Sequence, residues 1–178
     1  MVRTFVTPGG HRRFSRAGLL ALLPDQPTGH PTLSDLGETP DRMAHGYRQA
    51  AHHGLTDLPF VERMDDEMRH HSRELGRTIV TALVSALDRE ADVERTELLA
   101  GAEEACREYG RIAGRQGLGS TDTAEIFLRF RRPFLDQLGA VARRRELDAT
   151  ATSNLMADAN AALDTLLLAT LRGREDGA

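Results

Sequence analysis

The chain has 178 residues, of which 40% are hydrophobic, 28% charged and only 4% aromatic, with no tryptophan; that is ample for one domain with a sizeable core and a small appendage. No apolar run is long enough to span a membrane and no secretory h-region is visible. A single cysteine, Cys106, excludes an internal disulfide, so a soluble cytoplasmic protein is the expectation.

All 23 basic residues are arginine, and the net charge of −4 is unevenly spread. Residues 1–23 hold Arg3, Arg12, Arg13 and Arg16 without an acid, which is +4, whereas the remainder is −8. A short basic element on an acidic body is the pattern.

Along the chain, Val2 to Val6 is β-prone and Thr7-Pro8-Gly9-Gly10 is a turn whose glycines can take positive φ. His11 to Phe14 returns as a second strand, and Ser15 caps a short helix ending near Leu23. A hairpin with two helical turns is too small to be stable alone. Residues 24–40 hold four of the seven prolines and read as a flexible linker. A short helix is expected from Asp41 to His53, ended by Gly54.

From Pro59 onward the apolar spacing is helical. One stripe runs Val61, Met64, Met68, Leu75, Ile79, Leu83, Leu87, and a second Leu98, Ala102, Cys106, Tyr109, Ala113, stopping at Gly117. A third starts with Asp122 and Glu125 in capping-box spacing and continues through Phe127, Phe130, Phe134, Leu138 and Val141. Pro133 inside it predicts a kink or a restart. A fourth holds Leu155, Ala159, Leu163, Leu166 and Thr170. The expected fold is an all-α bundle of four to six helices over residues 41–172, preceded by a β-hairpin and short helix at 1–23 and followed by a frayed polar tail at 173–178.

The string Thr7-Pro8-Gly9-Gly10-His11-Arg12-Arg13-Phe14-Ser15-Arg16-Ala17 resembles the wing of the MerR and excisionase-like winged helix-turn-helix family. The resemblance covers residues 3–23, the wing and its closing helix. Physically, two glycines let the hairpin tip approach a sugar-phosphate backbone, and His11, Arg12 and Arg13 offer donors to phosphate oxygens. The resemblance implies DNA contacts from Arg3, Thr7, Gly9, Gly10, His11, Arg12, Arg13 and Arg16. Two departures bear on it. Gly18 stands where the family carries an acid, which weakens the helix by about 1 kcal/mol. The helix-turn-helix would lie upstream of Arg3, so either the gene start is misplaced or the chain is a truncated relative. With the wing alone, DNA binding should be weak, salt-sensitive and backbone-directed.

The stretch Tyr109-Gly110-Arg111-Ile112-Ala113-Gly114-Arg115-Gln116-Gly117-Leu118, followed by Phe127, Phe130-Arg131-Arg132 and Phe134-Leu135, resembles the RsbRD amino-terminal domain of RsbT co-antagonist (stressosome) proteins, over roughly residues 60–172. That resemblance implies a globin-like helical sensor or interaction module, dimeric and without required haem. The residues themselves support a plainer statement: Gly110 and Gly114 lie four apart and permit close helix approach, with the Phe127–Phe134 stripe as the expected partner. The phenylalanines read as core, and Arg131 and Arg132 as solvated or paired with acids. Gly114, Gly117 and Gly119 follow a helix, unlike a nucleotide loop, which follows a strand.

His45, His52, His53, His70 and His71 invite a metal reading, but Glu67-Met68-Arg69-His70 is the sole Glu-x-x-His around them and a diiron site needs two. No metal and no cofactor are expected. Cys106 reads as a small buried hydrophobe, and Asp65-Asp66-Glu67 as a solvated face. No catalytic arrangement is defensible from spacing, so a non-enzymatic role is expected. Three readings follow: a DNA-binding transcriptional regulator with a helical sensor or dimerisation domain, a signalling adaptor of the stressosome type, or a cofactor-binding bundle. The partners implied are DNA, a second copy of the chain, and a small-molecule or protein effector.

Overall fold

The computed structural model describes residues 4–6, 12–14, 32–39, 41–47, 64–89 and 92–178. Two three-residue strands, β1 (Thr4–Val6) and β2 (Arg12–Phe14), pair antiparallel with Thr4 opposite Phe14 and Phe5 opposite Arg13. The turn between them and the helix expected after Ser15 lie outside the described residues. The body is all-α: α1 (41–47), α2 (Asp66–Leu87), α3 (Asp92–Arg115), α4 (Ser120–Arg144) and α5 (Ala149–Asp176). No helix among the described residues is long and apolar enough to cross a membrane.

Local chemistry explains where these helices begin and end. The Asp65 carboxylate accepts the Met68 N–H at 2.8 Å and opens α2; Asp148 does the same for α5 through Ala151 at 2.8 Å. The start of α4 differs from the capping box expected at Asp122 and Glu125. Gly119 is the cap, and Asp122 sits three residues inside, where its carboxylate accepts the Gly119 N–H at 3.3 Å. Gly117, at φ 74°, closes α3: its N–H reaches the Gly114 carbonyl while Leu118 N–H reaches that of Ala113. Pro133 does not end the helix, so the restart is not found. The helix continues through it to Arg144, with Phe127, Phe134 and Leu138 buried on either side to hold both halves on the core.

The expected linker is corrected over its second half. Residues 32–39 form a compact turn docked on the bundle, with Leu33 fully buried (0% exposed) and Leu36 buried beside it. Thr32 and Asp35 exchange hydrogen bonds, Asp35 N–H to Thr32 Oγ1 at 3.1 Å and Thr32 N–H to Asp35 Oδ2 at 3.2 Å. Gly37, at φ 69°, ends the turn with Glu38 N–H on the Leu33 carbonyl. Ser34 Oγ then donates to Asp88 at 2.7 Å, and the buried Glu38 carboxylate accepts from Arg144 at 3.0 Å. Two leucines three apart, a self-capping pair and a closing glycine outweigh the flanking prolines. Met43, Ala44 and Tyr47 of α1 extend the same core.

The tail is corrected too. Instead of fraying at 173, α5 runs to Asp176 with Gly173 buried. The reason lies in α3, which packs more extensively on α5 than on any other element. A Cβ at Gly110 would overlap the Thr170 carbonyl oxygen, and one at Gly173 the Arg107 carbonyl. One at Gly114 would stand 2.6 Å from the Arg174 carbonyl oxygen, and one at Gly177 2.5 Å from that of Arg111. Residues 110 and 114 thus pair in rising order with 170–174 and 174–177, so the two helices are parallel and touch backbone to backbone. The partner of Gly110 and Gly114 is therefore α5, and not the phenylalanine stripe of α4.

Candidate functional site

The basic hairpin is one candidate. Of the residues expected to contact DNA, Arg12 and Arg13 fall on β2, opposite Val6 and Phe5 of β1. Arg3, Thr7, Gly9, Gly10, His11 and Arg16 lie outside the described residues, so the structure neither gathers nor separates them.

The second candidate was not visible in the sequence. A cavity of about 60 Å³, partly open to solvent, lies among α2, α3, α4 and α5, with Tyr47 of α1 at its edge. Gly76, Ile79 and Val80 come from α2; Cys106, Tyr109 and Ala113 from α3; Thr123, Ile126, Phe127 and Phe130 from α4; Thr170 from α5. No ionisable acid, arginine or histidine lines it. The Tyr109 ring meets Phe130 edge to face at 5.9 Å, and Tyr47 meets Phe134 at 6.4 Å in the same manner. The phenylalanines expected as core divide here: Phe134 is fully buried, whereas Phe127 and Phe130 form part of the cavity wall.

The polar groups of this cavity are neutral. Burial pushes the Cys106 thiol up to about 12, although a hydrogen bond with Thr170 opposes the shift. Burial also raises both tyrosines well above the ordinary phenol value. Cys106 is 1% exposed and behaves as the small buried hydrophobe its stripe position implied. Thr170 Oγ1 donates to the Leu166 carbonyl at 2.9 Å, and Thr123 Oγ1 to the Gly119 carbonyl at 2.9 Å.

Elsewhere the charged residues support structure. Along α3, Arg107, Arg111 and Arg115 ladder with Glu103, Glu104 and Glu108 over 2.8–3.3 Å. Hydrogen bonds from these arginines hold the Glu104 and Glu108 carboxyls below their usual range. Arg131 binds Asp164 at 2.9 Å and Asn160 at 2.6 Å, tying α4 to α5, while Arg132 reaches Asp136 at 3.9 Å on the surface. Both arginines are thus paired with acids. His70 faces Glu74 at 3.4 Å, and among the described residues no three histidine, cysteine, aspartate or glutamate side chains converge as metal ligands. His52 and His53 lie outside the described residues.

No family model, no curated protein and no solved structure matches the chain.

Proposed function

We propose that the protein is a regulator whose amino-terminal hairpin contacts the phosphate backbone of DNA and whose helical body is the sensing or dimerising module. The observation that supports this reading is the antiparallel pairing of β2 with β1, Arg12 opposite Val6 and Arg13 opposite Phe5, within a segment of net charge +4 attached to a body of −8. The likeness of Thr7 to Phe14 to a MerR-type wing supports it from the sequence side. Backbone contacts alone carry no sequence information, so binding through this element is weak and indifferent to base order.

The test is fluorescence anisotropy of the 178-residue chain on a labelled duplex across a salt series. Neutralisation of about two to four phosphates gives a log–log salt slope of about −2 to −4, the same on unrelated duplexes. Replacing Arg12 and Arg13 together by alanine should flatten that slope by about two. Salt-independent binding, or an unchanged slope in the double variant, contradicts the reading.

A second reading, a signalling adaptor acting through protein contacts, is favoured by one observation. Leu128 on α4 and Leu168 on α5 are large apolar side chains exposed by 48% and 53%. The absence of any DNA binding in the same titration selects this alternative. Pairing of two chains through the helical body belongs to both readings, and sedimentation at micromolar concentration tests it.

A further inference from the structure

We propose that the cavity among α2, α3, α4 and α5 is a binding site for a small, uncharged, largely apolar molecule carrying one hydrogen-bond donor. The inference stands apart from the nucleic-acid reading and does not depend on it.

Space of this kind is not a general looseness of the bundle. Leu83, Val84, Leu138, Leu155 and Leu166 of the same core are fully buried, and Gly110, Gly114 and Gly173 leave no room for a methyl group. Interiors packed to that density do not leave voids by default.

Gly76 is the second, independent observation. It lies in the middle of α2 and lines the cavity, yet a Cβ built on it would meet no atom within 4 Å. Its backbone is ordinary helix, so neither turn geometry nor close approach requires glycine there. Glycine weakens a helix interior, and at this position the local cost brings no packing gain. What it does bring is open space beside the cavity.

The chemistry of the walls selects the occupant. An ionised ligand would find no counter-charge, and an unpaired charge is not tolerated in such surroundings. Apolar cavities take apolar guests. The hydroxyl proton of Thr123 is committed to the Gly119 carbonyl, so its oxygen remains as an acceptor and calls for a hydroxyl or N–H on the ligand. Ethanol has these properties and suits a space of about 60 Å³, so it serves as the probe, with acetate, of similar size but charged, as its control.

The experiment is a titration of the full chain followed by methyl NMR. Ethanol should move the methyl resonances of Ile79, Val80 and Ile126 in a saturable way, and acetate should not. Gly76→Leu, which fills the space, should weaken ethanol binding by at least about tenfold. Gly101→Leu should bind ethanol as the parent does, because Gly101 is also a helical glycine with nothing within 4 Å but does not line the cavity. The proposal is overturned if ethanol leaves those methyl groups unmoved, if acetate moves them equally, or if Gly76→Leu and Gly101→Leu respond alike.

Discussion

The two faces of α3 meet the rest of the bundle in opposite ways. Toward α5, Gly110 and Gly114 bring backbone against backbone, and even a methyl group would collide with a carbonyl. Toward α2 and α4, the same helix offers Cys106, Tyr109 and Ala113 to a cavity partly open to solvent. One helix thus forms both a seam and a pocket wall, and the deciding quantity is what stands opposite. Against Gly110 stands the α5 backbone at Thr170 and Arg174; near Gly76 nothing stands within 4 Å. The seam carries stability, and the freedom of the other side is what makes a binding role possible.

Identical substitutions on the two sides sharpen this contrast. Gly110→Ala should lower stability by about 2 kcal/mol, because the overlap with the Thr170 carbonyl forces α3 and α5 apart and outweighs the gain in helix propensity. Gly76→Ala should raise stability by about 1 kcal/mol, since only the propensity changes. Urea unfolding of both variants measures the pair. Equal effects of the same sign would mean that the two glycines sit in equivalent surroundings, and the contrast would be lost.

Much of the helical body is legible in the sequence, and particular residues show why. The stripe Leu155, Ala159, Leu163, Leu166, Thr170 is buried throughout, because a 3.6-residue period has only one way to face a core. Gly117 stops α3 as its left-handed φ allows. The errors arose where short-range rules compete with packing. Residues 32–39 carry the linker signature of their prolines, yet Leu33 and Leu36, three apart before Gly37, were the signal of a docked turn. Residues 173–178 look polar and terminal, but Gly173 and Gly177 repeat the four-residue spacing of Gly110 and Gly114, and that matched pair was the mark of the seam. The cavity left only a faint trace, a glycine within the apolar stripe of α2, because empty space is a property of four helices at once. Of the hairpin, composition and order supply the arginines, and pairing supplies only their register.

The most direct test of the contrast is a crystal of the protein held under xenon pressure, since xenon enters apolar space of sufficient size irrespective of chemistry. The account predicts a xenon atom bounded by Cys106, Ile126 and Phe127, and none along the glycine seam between α3 and α5. A crystal with no xenon among those three side chains would contradict the claim that this side of α3 is held open.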